Sequence, residues 1–453
     1  MLVVLLWFWV VLRAHRVVPG SLRLTDALLV VVLTATYFGV WAFFVYLSRT
    51  PRQTLLTALG TSFTVVIIIA LLELPAALRM VHWTLVFRIL AGEGRDYESA
   101  FVLDNDLSFR RIPNLKWSGR PQSDIERGYG LPRSLREPIT FTYDKWGYRN
   151  ATEMEQVDVA LLGDSYVEGW YVSDQQTVAV QLESRLGRPV ANLGIAGYGT
   201  LQELRVLKAD ALSRHPRVIV WFFFEGNDLY DDQEFENFLL ADAPSFEDTT
   251  PHSEGLTRYH GWRQRSFVRN GLSRIRYWIS AMVPNQPPHW ARSSVPSRNE
   301  ELLYFAKYGS VPWTEYETER WETAMAALEE GIHSAQSQGV HVLLIYIPTK
   351  YRVYRTLVEL PPGSPMAEWD VWPLREQFRA FCVSVATPCL DLTESFERVA
   401  QEGGMPYAAK DTHWSPEGHA TAAAEIERFL SGRDWLAVRD ASSLQSTTSD
   451  TGS

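Results

Sequence analysis

The stretch VDVALLGDSYVEGW, residues 157–170, constrains the fold more than any other part of the chain. Val157, Val159, Leu161 and Leu162 form a short apolar run, broken only by Asp158 and Ala160 and stopped by Gly163. Such a run, ended by glycine, reads as a buried parallel strand entering a sharp turn. Open α/β sheets hold their ligands just past the carboxyl ends of their strands, and Ser165 falls there. Gly163 permits the bend and leaves room above the Ser165 hydroxyl. Alone, Gly163-Asp164-Ser165 reads first as a turn that caps the next helix.

Beyond this point the pattern alternates. Helices are expected over 175–186, 200–213, 321–337, 373–385 and 416–430, and strands over 190–193, 218–224 and 340–347. That alternation predicts an α/β domain with a parallel sheet covered on both faces. Trp221-Phe222-Phe223-Phe224 suits a central strand buried on both sides. An excursion over about 229–320 interrupts the rhythm. It is acidic over 229–248; then Arg263, Arg265, Arg269, Arg274 and Arg276 alternate with Trp262, Phe267, Tyr277 and Trp278. Insertions of this length are functional or mobile. Three readings stand: an interfacial helix on anionic lipid, a surface for an acidic glycan, or a cover over the sheet. Residues 91–155 read as a lead-in of short strands and turns. The polar residues 441–453 are expected to be disordered.

The first 90 residues differ from the rest. Residues 27–47 and 55–72 carry no charge, and runs of about this length can cross a bilayer. A transmembrane helical anchor over 1–90 and a multi-pass inner-membrane location are therefore expected, with the lipid bilayer as a partner. The apolar residues 1–12 leave the number of spans at two or three, and no cleavable signal peptide is apparent. Arginines on both flanks favour a cytoplasmic catalytic domain by the positive-inside rule. A net charge of −10 and a pI near 5.6 exclude a nucleic-acid partner, which would require clustered basic charge. Cys382 and Cys389 provide neither a disulfide scaffold nor CxxC metal spacing, and leave one disulfide or two thiols open. Nucleotide and zinc-peptidase motifs are missing, so no cofactor or metal is expected.

Three later stretches supply chemistry to go with Ser165. They are VANLGIAGYGTLQ (190–202), VIVWFFFEGND (218–228) and KDTHWSPEGH (410–419). A serine, a glycine turn, an asparagine and an Asp/His pair, each at a strand end or loop, make up an acyl-transfer set. In this order the four blocks resemble the SGNH, or GDSL-like, hydrolase superfamily, over roughly residues 100 to 430. That resemblance implies a flavodoxin-like three-layer α/β/α fold. It implies Ser165 as nucleophile, His413 as the base that takes its proton, and Asp411 as the acid that orients the imidazole. The oxyanion hole would comprise the N–H groups of Ser165 and Gly197 and the side chain of Asn227. Gly197 is chosen because it follows Ile195-Ala196, as in the family's second block.

The family's usual spacing is D-x-x-H, but Lys410 stands three residues before His413 and Asp411 two. This D-x-H pair, with Ile347-Pro348-Thr349-Lys350, resembles proteins that O-acetylate alginate; Asp391 is held in reserve as the acid. The stretch 144–150, DKWGYRN, resembles a segment seen ahead of the serine block, with Arg149 either touching substrate or tying a loop to a carboxylate. His419 is expected to be structural. The resulting expectation is a serine esterase or deacetylase acting on an O-acylated small molecule or glycan. The alternatives are an O-acetyltransferase modifying an envelope polysaccharide, served by a membrane acyl-donor protein, and a non-catalytic glycan-binding protein. Anchored members of the superfamily commonly act outside the cytoplasmic membrane, so against the arginine count the resemblance implies an extracytoplasmic catalytic domain. In a transferase, the excursion would be the cover that excludes water.

Overall fold

Five apolar runs become parallel strands: β1 (Val159–Leu162), β2 (Val190–Asn192), β3 (Val218–Phe224), β4 (His341–Ile347) and β5 (Cys389–Asp391). The computed structural model describes residues 46, 50–78, 83, 101–121, 123–129, 137–240, 266–282, 289–299, 301–308 and 313–436. The strands lie in the order β2-β1-β3-β4-β5, each pair parallel. From β1 the chain crosses to β2 on one side and later returns to β3 on the other. Such a reversal opens a crevice at the carboxyl end of β1, between its neighbours.

The two-residue period of the strands sorts their side chains onto two faces. Leu162, Trp221, Phe223, Leu344 and Tyr346 pack with Val206, Leu328 and Phe378 from the helices Thr200–Val206, Glu315–Gln336 and Leu374–Ser384. Leu161, Val220, Phe222, Leu343 and Ile345 pack on the other face with Leu182, Phe396 and Ile426 from Val178–Leu186, Thr393–Gln401 and Pro416–Ser431. Each such side chain contributes about 1.5–3 kcal/mol by leaving water, so the sheet is the rigid reference for the site. The result is the three-layer α/β arrangement that the alternation predicts.

Local details depart from the sequence reading. The helix expected over 200–213 is α-helical only to Val206, then widens into a π turn, Leu207–Ala211, and tightens over Leu212–Arg214. Near residue 177 the expected helix is recapped, with the Thr177 side chain accepting from the Val180 N–H. Strand β5 has three residues, too few to display a period, and Thr393–Gln401 follows it directly. Cys382 and Cys389 form a disulfide between the helix Leu374–Ser384 and β5. The lead-in contains two antiparallel pairs, Phe101–Asp104 with Ser108–Arg111 and Lys116–Gly119 with Ile139–Thr142.

The chain divides into two units. One comprises residues 1–96, 125–134 and 257–288; the other contains the sheet. In the first, Glu73 on the helix Pro51–Ala77 accepts hydrogen bonds from Ser266 Oγ and the Val268 N–H, each at 2.7 Å. The excursion is thus not one cover. Its helix Asp228–Leu240 and its strands Trp290–Ser293 and Leu302–Tyr304 belong to the sheet unit, whereas Phe267–Met282 belongs to the other.

The multi-pass inner-membrane expectation is corrected by the helices themselves. Among the described residues no helix is long and apolar enough to cross a membrane. The run 55–72 lies within Pro51–Ala77, where Thr57, Gly60, Thr61, Ser62 and Thr64 break it up. Its unbroken apolar part is only residues 65–72, against about 20 predominantly apolar residues for a span. Residues 1–45, which include most of the run 27–47, lie outside the described residues, as do residues 441–453. The bilayer and a membrane acyl-donor protein find no support as partners among the described residues.

Candidate active site

Strand β1 ends at Gly163, where a Cβ would come 2.4 Å from Val167 Cγ2 and 3.2 Å from Phe222 Cβ. Only glycine lets the turn close this tightly over the sheet. Asp164 then caps the short helix Ser165–Glu168, its carboxylate accepting from the Tyr166 N–H at 2.9 Å. Ser165 is the first helical residue, whose N–H has no partner within a helix. Its Oγ lies 2.9 Å from His413 Nε2 and 3.2 Å from Asp164 Oδ2.

His413 belongs to the loop that precedes Pro416–Ser431. Its Nδ1 is 2.6 Å from Asp411 Oδ1, and its backbone N–H donates to the same oxygen at 2.9 Å. Ser165, His413 and Asp411 therefore form one hydrogen-bonded line from the surface of the crevice to a fully buried carboxylate. The reserve acid, Asp391, is elsewhere: it accepts from Arg375 Nε at 2.5 Å and from the Thr393 N–H at 2.9 Å.

The glycine block lies beside the serine turn because β2 pairs with β1. The Leu193 N–H donates to Leu161 O, the Ile195 N–H to Gly163 O, and the Ala196 N–H to Glu168 Oε2 at 2.6 Å. Gly197 follows with φ +84°, a left-handed conformation that favours glycine. Glu168 is fully buried and also accepts from Arg111 Nε and Nη2 at 2.7 and 2.9 Å and from the Tyr143 hydroxyl at 2.5 Å. Asn227 stands beyond the end of β3, one strand over from Ser165. Its side-chain amide donates to Asp231, and its carbonyl accepts from the Tyr230 and Asp231 N–H groups at 2.8 and 2.9 Å.

Several supports were missed at the sequence level. Lys350, noted only for its motif, is buried, and its ammonium donates to the carbonyls of Tyr304, Ala408, Ala409 and Asp411 at 2.8, 2.5, 2.9 and 3.1 Å. The Tyr166 hydroxyl donates to Thr412 O at 2.9 Å. Asp124, from the lead-in, donates its N–H to Asp411 Oδ2 at 3.1 Å. Glu168 and Asp124 carried no local signal, since their partners are distant in sequence. Arg149 ties loops together: it pairs with Asp174 at 3.0 Å and reaches the carbonyls of Thr140 and Val172 at 2.8 and 2.7 Å. His419 is buried against Trp414, with neither ring nitrogen partnered among the described residues, and burial lowers its pKa to about 3.

The electrostatics suit a proton acceptor. Burial works to lower the His413 pKa, but Asp411 outweighs it, with help from Asp124 and Asp164, and holds it above the ordinary imidazole value. For Asp411 burial raises, but His413 and the hydrogen bonds leave the carboxyl below its ordinary value. Burial pushes Asp164 up to about 6, and burial plus Asp411 does the same for Asp124. Burial pulls Lys350 down to about 7, against the attraction of Asp411 and Asp124. Among the described residues, Asp124, Asp411 and His413 are the set whose donor atoms could gather a metal ion, all within 4.8 Å. Both ring nitrogens of His413 are already engaged, by Asp411 and Ser165.

A family model described as GDSL-like Lipase/Acylhydrolase matches residues 161–421. The probable alginate O-acetylase AlgJ of Pseudomonas fluorescens is 27% identical over 109 residues, which are 24% of this chain and 26% of that protein. The match thus spans about a quarter of that relative's length. Among solved structures, the lipase/acylhydrolase from Enterococcus faecalis aligns with 16% identity over 61% of this chain and 95% of its own, at a TM-score of 0.32. A catalytic mutant of Axe2, an acetylxylan esterase from Geobacillus stearothermophilus, aligns with 12% identity over 62% of this chain and 96% of its own, at a TM-score of 0.32.

Proposed function

We propose, because this chain belongs to the GDSL-like lipase/acylhydrolase family, that it is a serine-dependent ester hydrolase working through an acyl-Ser165 intermediate on an O-acylated carbohydrate. The observation that carries this reading is the unbroken line from Ser165 Oγ through the two ring nitrogens of His413 to Asp411. His413 Nε2 takes the Ser165 proton as Oγ attacks the acyl carbonyl, and Asp411 stabilises the imidazolium that forms. The oxyanion is received by the N–H groups of Ser165 and Gly197 and by the second N–H of the Asn227 amide, the first being given to Asp231. His413 then gives the proton to the sugar oxygen as its bond to the acyl carbon breaks, releasing the alcohol. Water, deprotonated by His413, next attacks the acyl-serine, and the proton returns to Ser165 Oγ as the acid leaves.

The carbohydrate assignment is supported by the match to the alginate O-acetylase and by the D-x-H pair Asp411–His413, whose spacing resembles that of alginate-acetylating proteins. The same two observations favour a second reading, in which a sugar hydroxyl replaces water as acceptor. Labelling by a fluorophosphonate, together with p-nitrophenyl acetate turnover, tests the serine chemistry. Wild type is expected to label and turn over, and Ser165→Ala to do neither; a wild-type protein inert in both assays would leave a glycan-binding protein. Partition of the acetyl group between water and an added acidic oligosaccharide separates hydrolase from transferase.

A further inference from the structure

We propose that Asp124 is a positioning residue for the Asp411–His413 pair, fixing the turn that aims His413 at Ser165. This rests on the hydrolase reading above. Asp124 precedes the stretch that matches the family model, residues 161–421, and reaches the histidine loop across 287 residues of sequence. Its backbone N–H donates to Asp411 Oδ2 at 3.1 Å, its Oδ1 accepts from the Thr412 N–H at 3.1 Å, and its Oδ2 accepts from the Thr412 hydroxyl. The adjacent Ser123 hydroxyl donates to Lys410 O. Lys410, Asp411 and Thr412 are thus each gripped by residues 123–124.

The consequence lies in how the Asp411 carboxylate is shared. Its Oδ2 is given to Asp124, which leaves Oδ1 for both the Nδ1 and the backbone N–H of His413. The hold on Oδ2 comes from the Asp124 backbone N–H, and the Asp124 side chain keeps that N–H in place by gripping Thr412. Loss of the side chain therefore loosens the carboxylate, the imidazole plane and the reach of Nε2 to Ser165 together. Displacing a reacting group by about 1 Å costs on the order of a hundredfold in rate. Charge adds a second effect. The groups that face Asp124 are Asp411, His413, Tyr166 and Lys350. An ionised Asp124 is a second negative charge near the imidazole, and it contributes to holding His413 up.

The experiment compares the wild-type chain with Asp124→Asn and Asp124→Ala. Asparagine keeps an oxygen for the Thr412 N–H and removes the charge; alanine removes both. Asp124→Ala is expected to lower kcat for p-nitrophenyl acetate about tenfold to a hundredfold, with KM within about twofold. Asp124→Asn should recover most of that rate, while its acid limb of kcat/KM moves to lower pH. The His413 imidazole titration, followed by NMR and assigned with a His413→Asn control, should move the same way. An unchanged kcat in Asp124→Ala, or an unchanged His413 midpoint in Asp124→Asn, overturns the proposal. Should alanine prevent folding, the asparagine variant carries the test alone. The imidazole titration needs no substrate, so a protein inert toward esters would end the hydrolase reading while the His413 midpoint still decides the role of Asp124.

Discussion

Ser165 is held chiefly by its own strand and turn, with Glu168 of its short helix braced by Arg111 and Tyr143, whereas the loop of His413 is held mainly by segments drawn from across the chain. On the serine side, β1 is completely buried, Gly163 closes the turn, and Asp164 caps the helix that begins with Ser165. On the histidine side, residues 408–413 have no regular ladder beyond a bridge between Tyr407 and Trp414 and a bond from the Ala408 N–H to His413 O at 3.0 Å. Their polar groups are satisfied instead by Lys350, Tyr166, Ser123 and Asp124. Where such a loop turns inward, as at Asp411 and Thr412, its backbone groups must pair somewhere, and here the pairing doubles as alignment. The serine arm should therefore tolerate distant change better than the histidine arm does.

The largest effect tests whether the arms act as one unit. Ser165→Ala and His413→Ala are each expected to lower kcat by about 10⁶-fold, with the double variant no worse than either. A double loss equal to the product of the singles would mean that the arms work independently. Asp411→Asn comes next, at about 10⁴-fold, and Asp391→Asn should stay within about twofold, because its partner is Arg375. If Asp391→Asn costs more than Asp411→Asn, the histidine arm has been assembled around the wrong acid.

Stability offers a finer contrast. Glu168→Gln leaves Arg111 buried without its counter-charge, and denaturant titration should register a loss of about 3–5 kcal/mol. Lys350→Met strands the four carbonyls that its ammonium serves, each costing about 1–3 kcal/mol unless the loop opens to water. Opening is the expected outcome, so Lys350→Met should lose less stability than that sum and more activity than Glu168→Gln. Equal loss of activity in the two variants would erase the distinction between the arms. The mildest test is pH. The imidazole must be neutral to accept the Ser165 proton, and its pKa is raised. Hence kcat/KM should fall as pH drops through a midpoint above the usual 6.5 or so. A midpoint below that value would uncouple His413 from Asp411.

The contrast between the arms also explains what the sequence made legible. The serine turn announces itself because its determinants, an apolar run, a glycine and a capping Asp, are contiguous. The histidine and its acid are found through a motif, and Lys410 in the usual acid position is resolved only in space, where Asp411 meets Nδ1. Asp124, Glu168 and Lys350 act through partners far along the chain, so no window of sequence displays them. Strand β5 escaped because Cys389-Leu390-Asp391 is both short and without an apolar run, whereas the equally short β2 leads into the glycine block that marks it. The inner-membrane expectation weighed uncharged length and overlooked Thr57, Gly60, Thr61, Ser62 and Thr64, which divide the run 55–72.

The bond between Ser165 and His413 joins residues 248 apart, and this has a consequence during synthesis. At about 5–20 residues per second, a ribosome that has just added the serine needs roughly 12–50 s more to reach the histidine. On the proposed mechanism, the nascent chain throughout that interval carries a hydroxyl with no base and would be chemically silent toward esters. On that mechanism activity would begin only when the last loop docks, after the sheet has received its final strand. A chain stalled or clipped before residue 411 is harmless by the same logic, because what it lacks is the half of the site that makes serine reactive.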